Sequence, residues 1–188
     1  MSDEAIPQDA QPGAEAGVEA APARVLPDDP ILADLATEFP GVDFTSFQPR
    51  NGPRQDTATV GRDDLLSFVQ AVKDAGFETF IDVCGVDHLN QDPRYDVIIN
   101  VLSMEHTQRL RIKVEILGND PTVPSISSIY AGANFYERET WDLFGIVFDG
   151  HTDLTRILLP DEWSGHPLRK NYSVGSVPVQ FKGSPKST

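Results

Sequence analysis

The chain has 188 residues, and its net charge of −14 with 39% hydrophobic residues fits one globular domain with flanking tails. The deficit of Lys and Arg argues against a nucleic-acid ligand, because phosphate binding needs an excess of them. No apolar run approaches the roughly 20 residues of a membrane-spanning helix, and the first residues lack the basic and apolar regions of a signal peptide. The one cysteine, Cys84, fits a reducing compartment.

The two ends of the chain differ from its middle, the first in composition and the second in charge. Residues 1–27 are rich in Ala, Pro and Glu and almost lack large apolar side chains. Such a segment cannot bury enough surface to offset its chain entropy, so we predict a disordered tail, with a functional acidic tail as the alternative. Residues 163–188 carry four basic residues and no acidic residue. The predicted order is therefore a disordered tail, an α+β domain over residues 28–162, and an extended basic tail that binds a partner.

Two helices and a pair of strands are predicted in the first part of the domain. One helix follows Asp29, which can act as its N-cap. Residues 42–60 indicate two short strands around a turn rich in Gly, Pro and Asn. Residues 61–76 indicate the clearest helix, which Asp63 or Asp64 can cap. Its apolar face is expected to consist of Leu65, Leu66, Val69 and Val72.

Three strands are predicted next, over residues 78–87, 94–103 and 109–117. In the third, Leu110 and Ile112 alternate with charged neighbours, so one face should be buried and the other wet. The second is apolar enough to be a central strand. Cys84 in the first has apolar neighbours, which is typical of a buried and inert thiol. Interleaved helices and hairpin-like strands predict an α+β fold, in which helices pack against a mixed sheet.

The stretches that follow are shorter and less regular. Residues 118–125 are predicted to be a loop, from which Ser125 can cap a helical stretch that leads into residues 133–145. A short strand at residues 146–148 and a compact turn at residues 153–160 complete the domain. No internal repeat is present.

The predicted helix near residue 140 contains a carboxylate among apolar side chains. At about 100° per residue, Glu137 lies inside an apolar arc that includes Trp141 and Phe144. A buried carboxylate is costly unless a cation or several donors meet it. We therefore expect Glu137 to be buried, with Arg156 or Arg169 as its cation.

The opposite side of the same helix carries charges and one aromatic residue. Arg138, Glu139 and Asp142 fall on this side together with Phe135, and Arg138 and Asp142 are spaced for an i, i+4 ion pair. A monomer would gain nothing from an exposed Phe135, so the helix is expected to be covered on both sides. The simpler alternative is a core helix with one tolerated surface aromatic.

The residues that could perform chemistry do not form a known catalytic pattern. Two turns contain possible zinc ligands, namely Asp149, His151, Asp153, Glu162 and His166. No HExxH or CxxC spacing fixes them, and a histidine in a turn often binds a backbone carbonyl. No GxSxG, GxGxxG or GxxxxGK[ST] motif is present, and a single cysteine cannot hold an iron–sulfur cluster alone. The residues favour a binding or structural subunit over a stand-alone zinc hydrolase.

Residues 133–172 contain a series of short motifs in a distinctive order. They are Glu137-Arg138-Glu139, Asp142-Leu143-Phe144-Gly145-Ile146, Gly150-His151, Leu158-Leu159-Pro160 and Gly165-His166-Pro167-Leu168-Arg169-Lys170. This order closely resembles the C subunit of the bacterial NADH-quinone oxidoreductase, respiratory complex I. A weaker resemblance runs back to about residue 30. Phe135, Thr152 and Asn171 depart from the residues that the family often has at those places.

The resemblance implies a peripheral subunit in the quinone module of the hydrophilic arm, on the cytoplasmic side of the cell membrane. It would lie beside the D subunit and near the iron–sulfur subunits. The resemblance also implies no catalytic residue and no FMN, iron–sulfur cluster or quinone site in this chain, since partner subunits hold these groups. The complex would pass electrons from NADH to a quinone and couple this transfer to proton translocation. One alternative is the equivalent subunit of a membrane-bound hydrogenase or of a complex I that takes electrons from another donor. The other alternative is a soluble adaptor protein.

The predicted interface joins the motif residues to the basic tail. The motif residues are Glu137, Arg138, Glu139, Asp142, Phe144, Gly145, His151, Arg156, His166, Arg169 and Lys170. Arg169 and Lys170 are expected to dock by charge on an acidic partner. The expected anchors are Trp163, Tyr172, Val177, Val179 and Phe181. Charge reversal at Arg169 should then weaken assembly without unfolding the domain.

Overall fold

A computed structural model describes residues 28–173, and a five-stranded mixed sheet forms their centre. The strands are β1 (Asp43–Phe47), β2 (Gln55–Val60), β3 (Thr79–Asp87), β4 (Tyr95–Ser103) and β5 (Gln108–Ile116). Their order is β1-β2-β5-β4-β3, and only the β2–β5 pair is parallel. The predicted α+β fold with a mixed sheet is confirmed. Strand β4 is interior as expected, although β5 occupies the middle.

Helix α1 (Pro30–Glu38) and helix α2 (Leu65–Asp74) pack on one face of this sheet. The Asp29 carboxylate accepts hydrogen bonds from Ile31 N and Leu32 N, so its predicted capping role is confirmed. The buried residues of α2 are Leu65, Phe68, Val69 and Val72.

Two details of α2 were predicted wrongly. No side chain caps it, because Arg62–Asp64 form a 3-10 turn that leads directly into the helix and leaves Asp64 in a helical conformation. Leu66 is 41% exposed, and Phe68 takes its place in the core. The inward positions follow i, i+3, i+4 and i+7 from Leu65, which turns Leu66 toward solvent.

The side chains of the sheet alternate between the helix-covered face and an open face. On β5, Leu110, Ile112 and Val114 point into the core, as predicted. The prediction of a buried thiol is wrong, because Cys84 lies on the open face and is exposed. Its neighbour Val83 points inward instead. Apolar neighbours along a strand therefore did not identify which face the thiol occupies.

A second, smaller sheet lies beside the third helix, α3 (Ala133–Phe144). It consists of β6 (Thr122–Pro124) and β7 (Val147–Asp149) in a parallel pair. The strand predicted at residues 146–148 is confirmed within one residue. The loop predicted at 118–125 is wrong where β6 forms, because its pairing partner comes from beyond α3.

The described part of the chain ends in irregular structure that lies on α3 and β3. Residues 150–173 contain turns and bends without a helix or strand. Among residues 28–173, no helix combines the length and apolar character that crossing a membrane requires. The predicted tail 1–27 and the alternating Val177, Val179 and Phe181 lie outside the described residues, and the domain bounds stay a prediction.

Candidate functional site

Helix α3 is fixed against β3 by a close approach at Gly85. A Cβ atom at Gly85 would lie 3.0 Å from the Phe144 ring and 3.2 Å from Thr140 Cγ2. Phe144 is half-buried in this contact. The motif residues on α3 are therefore held at a defined distance from the sheet.

Glu137 is fully buried, as its position on the helix predicted. Its carboxylate accepts a hydrogen bond of 2.7 Å from Ile126 N and one of 2.6 Å from Ser125 Oγ. The predicted partners Arg156 and Arg169 are wrong, because the turn before α3 supplies the donors. Ser125 Oγ also accepts a hydrogen bond of 3.2 Å from Ser127 N, so Ser125 caps the turn that precedes α3, as predicted, and contacts α3 through Glu137.

The buried His151 imidazole lies close to Glu137. His151 Nε2 lies 3.9 Å from Glu137 Oε2 and 3.1 Å from the Asn134 carbonyl oxygen, while Nδ1 accepts from Asp153 N. Burial raises the pKa of Glu137, against the lowering effects of the Ser125 and Ile126 hydrogen bonds and of His151. This carboxylate is therefore easier to protonate than an exposed glutamate.

Asp142 is the second buried carboxylate of α3, although the helical pattern placed it on the charged outer side. One oxygen, Oδ2, accepts from three consecutive backbone N–H groups, those of Ile157, Leu158 and Leu159, at 2.9–3.1 Å. The other oxygen binds the Arg156 guanidinium. Asp142 thereby fixes residues 156–159 onto the helix, which the helical pattern alone did not indicate.

The surroundings of Asp142 have opposing effects on its pKa. Burial raises the pKa, but the N–H donors of Leu159, Leu158 and Ile157 and the Arg156 side chain together hold it below the ordinary value. A carboxylate with several donors and a paired guanidinium is stable in its charged form. Asp142 is therefore charged and attaches residues 156–159 to α3.

Arg138 and Glu139 lie on the outer side of α3, as predicted. Arg138 does not pair with Asp142. Its guanidinium donates to the carbonyl oxygens of Thr155 and Arg156 at 3.1 and 3.0 Å. Glu139 is exposed, and Phe135 is 60% exposed, as expected for a residue on the charged side.

The remaining motif residues bind the end of α3. His166 Nδ1 lies 3.0 Å from the Asp142 carbonyl oxygen, and Arg169 donates to the carbonyl oxygens of Phe144 and Gly145. Gly145 has a left-handed backbone with φ of 71°, which ends the helix. Arg169 is thus engaged within the chain, so charge reversal there should disturb the fold, contrary to the sequence-based expectation.

Strand β3 also holds the segment near Lys170, through a contact that the sequence patterns did not reveal. Asp87 ends β3 with a side chain that is 0% exposed and pairs with Arg94 through two hydrogen bonds of 2.9 Å. Asp87 also accepts from Lys170 N, and Arg94 donates to Asn171 Oδ1. Arg94 holds the pKa of Asp87 well below its ordinary value, against the opposing effect of burial. In the sequence, the only sign of this contact was an acidic residue at the end of an apolar strand.

Low pH should weaken the interactions that Asp87 and Asp142 make. Asp87 and Asp142 have lowered pKa values, so they stabilise the folded chain above the ordinary aspartate value of 3.8, and this stabilisation is lost as pH falls below it. Glu137 has a raised pKa and acts in the opposite direction, since its protonation favours the folded state. Urea unfolding between pH 7 and 3 should therefore show a shallower acid loss for D142N and a steeper one for E137Q. If the stability of the parent chain, D142N and E137Q changed with pH in the same way, these pKa directions would be contradicted.

The two histidines among the possible zinc ligands bind backbone groups. His151 and His166 bind carbonyl oxygens, as expected for histidines in turns. Among residues 28–173, no three His, Cys, Asp or Glu side chains come together as metal ligands. The motif residues mainly form hydrogen bonds that attach residues 149–172 to α3 and β3. Residues 28–173 thus form an α+β domain in which most of these side chains bind the chain's own backbone.

Comparison with known proteins gives the family. The family described as respiratory-chain NADH dehydrogenase, 30 Kd subunit, matches residues 58–177. The NADH-quinone oxidoreductase C subunit of Saccharopolyspora erythraea is 45% identical over 132 residues, which are 68% of this chain and 53% of that protein. The protein of the same name from Roseiflexus castenholzii is 42% identical over 118 residues, 63% of this chain and 68% of its own. The chain belongs to the respiratory-chain NADH dehydrogenase 30 Kd subunit family.

Two solved structures have the same fold. The trypsin-resistant fragment of Nqo5 superposes with a TM-score of 0.58 at 26% identity, covering 66% of this chain and 96% of the fragment. A chain of the archaeal membrane-bound sulfane sulfur reductase gives a TM-score of 0.66 at 17% identity, with 84% and 96% coverage. The chain spans about half the length of the relatives from Saccharopolyspora erythraea and Nocardioides.

Proposed function

We propose that this chain is an accessory structural subunit in the peripheral arm of a proton-translocating NADH-quinone oxidoreductase. It lies in the quinone module, on the cytoplasmic side of the cell membrane, and holds neighbouring redox subunits in place, chiefly the D subunit and nearby iron–sulfur subunits. FMN, iron–sulfur clusters and quinone are bound by those partners. The family membership and the names of the relatives support this proposal.

The way in which the motif residues are used supports a structural role. Glu137, Asp142 and Arg169 satisfy their charges within the chain, through hydrogen bonds to neighbouring backbone. The apolar side chains Leu158 and Leu168 are instead 58% and 50% exposed. A segment that is hydrogen-bonded to α3 and directs aliphatic groups outward suits a surface that a partner covers.

Affinity purification of the tagged chain from its native membranes in mild detergent tests the proposal. Co-purification of a large complex with NADH-quinone activity is the expected result. A lone protein of 20.6 kDa would contradict it. A large complex that does not oxidise NADH would favour the second candidate, the equivalent subunit of a related membrane-bound hydrogenase or of a complex with another donor. The shared fold with a chain of the sulfane sulfur reductase is the observation that keeps this candidate.

Aspartate at Leu158 should lower the yield of the complex severalfold while leaving the chain folded, because the side chain is exposed and only its backbone N–H is used. Leu66→Asp is the matched control, since Leu66 is 41% exposed on α2, away from residues 149–172. The yield of intact complex and the urea midpoint of the free chain should be measured for both variants. Equal yields for the two variants would remove Leu158 from the interface.

A further inference from the structure

Two serine hydroxyl groups connect the buried Glu137 to the protein surface. Ser125 Oγ lies 2.6 Å from Glu137 Oε2 and 2.7 Å from Ser127 Oγ. Ser127 N also donates to Ser125 Oγ at 3.2 Å. Glu137 and Ser125 are buried, whereas Ser127 is half-buried. The proposed function gives this row of three oxygen atoms no role.

The Ser125 hydroxyl can satisfy either charge state of Glu137, because a hydroxyl group has one proton to donate and two lone pairs that accept. Beside an ionised Glu137, it donates to Oε2 and accepts from the hydroxyl and the backbone N–H of Ser127. Beside a protonated Glu137, it accepts from the carboxyl O–H and from Ser127 N, and it donates to Ser127 Oγ. Ile126 N, 2.7 Å from Oε1, can donate in both cases. A change of charge therefore leaves every hydrogen bond of this network in place.

The neighbouring His151 is held in one neutral form. Its Nδ1 accepts from Asp153 N at 3.0 Å, so the proton of the neutral ring lies on Nε2, which donates to the Asn134 carbonyl oxygen at 3.1 Å. A second proton would have to displace the Asp153 N–H from a side chain that is 0% exposed. Glu137 Oε2, 3.9 Å from Nε2, is therefore the position at which this pair of side chains gains a proton.

Other titratable side chains on the elements packed against α3 are exposed or bound elsewhere. Residues 155–169 contact α3 on its outer side and at its end. The side chains nearer to Glu137 in the fold are Asp149 of β7 and Asp153, which are exposed, Lys73 of α2 and Tyr130, which donate to backbone carbonyl oxygens, Asp82 and Asp87 of β3, which bind Asn100 and Arg94, and Cys84 on the open face. Burial raises the pKa of Glu137, and its contacts with Ser125, Ile126 and His151 oppose this effect.

We infer that Glu137 is a proton-exchange site, which takes up a proton from solvent through Ser127 and Ser125 while the chain stays folded. Solvent donates a proton to Ser127 Oγ, the former hydroxyl proton of Ser127 passes to Ser125 Oγ, and the former hydroxyl proton of Ser125 passes to Glu137 Oε2. Release follows the reverse order. The charge on the buried side of α3 thus changes by one, while α3 stays attached to the turn that contains Ser125.

Carboxyl-carbon NMR of the full 188-residue chain, labelled at its glutamate side chains, tests this inference. The Glu137 signal is identified by its absence from E137Q. Its titration midpoint should lie above the ordinary glutamate value of 4.5, with the backbone amide signals of the folded chain present on both sides of the midpoint. The imidazole nitrogen signals of His151 should keep the Nε2–H form over the same pH interval. Titration of His151 in place of Glu137, or a Glu137 midpoint at or below 4.5, would overturn the inference.

Two serine variants should move the Glu137 midpoint in opposite directions. S125A removes the donor to the ionised carboxylate, and because hydrogen bonds to a charged group are the stronger ones, the midpoint should rise. S127A leaves the buried Ser125 hydroxyl without an acceptor when Glu137 is protonated, so the midpoint should fall. S128A is the matched control, since Ser128 is the next residue and is exposed, and its midpoint should equal that of the parent chain.

The rate of proton exchange tests the route through Ser127. Near the midpoint, the parent chain should give one Glu137 signal, averaged by fast exchange between the two charge states. S127A should exchange more slowly and give broadened or separate signals, whereas S128A should behave as the parent chain does. The backbone amide spectrum of each variant shows that it is folded. If S127A and S128A had the same midpoint and the same exchange rate, the route through Ser127 would be excluded.

Discussion

Replacing Asp142 with alanine is expected to lower the free energy of unfolding by about 3–5 kcal/mol, the usual cost of removing one partner of a buried ion pair. The substitution leaves the Arg156 guanidinium, 13% exposed, without its carboxylate. It also removes the acceptor for the N–H groups of Ile157, Leu158 and Leu159. Residues 156–159 would lose their attachment to α3. Urea unfolding of the free chain measures the effect.

Two comparisons make this prediction specific. E139A removes a carboxylate from the exposed side of the same helix and should change the stability by at most about 0.5 kcal/mol. D142N retains an oxygen acceptor but not the charge, so its loss should fall between those of E139A and D142A. A D142A chain as stable as E139A would show that Asp142 does not hold this segment. In the complex, D142A should also reduce assembly, because the segment that presents Leu158 would no longer be fixed.

Alanine at Gly145 is expected to cost about 2.5–5 kcal/mol, in two parts. The left-handed backbone, with φ of 71°, costs about 1–2 kcal/mol for a residue with a Cβ atom. The added Cβ would also collide with the Arg169 guanidinium and lie 2.5 Å from His166 Cδ2. Displacing Arg169 breaks its charged hydrogen bonds to the end of α3, worth about 1.5–3 kcal/mol.

Gly150 provides a matched control for the backbone part alone. Its φ is 81°, and a Cβ added there would meet nothing within 4 Å. G150A should therefore cost only the backbone term, about 1–2 kcal/mol. The difference between G145A and G150A then measures how strongly Arg169 and His166 hold the end of α3. Equal unfolding midpoints for the two variants would mean that these side chains contribute little.

The elements of the central sheet and its helices could be predicted from the sequence because their signals are local. Alternation along β5, the capping residue Asp29 and the turn between β1 and β2 act over a few residues. The burial of Glu137 was predictable for the same reason, since helical geometry alone places it among apolar neighbours. The order of the motifs in residues 133–172 was also sufficient by itself to indicate the family.

The partners of the buried charges were decided by tertiary structure. Helical periodicity placed Asp142 on the outer side of α3, but residues 156–159 return over that side and bury it. Glu137 is held by the turn at Ser125 and Ile126 instead of by an arginine. Strand β6 forms only because β7 supplies its hydrogen bonds from the far side of α3. The sequence determines which polar groups need hydrogen-bond partners once they are buried. The path of the chain in the folded structure determines which donors reach them.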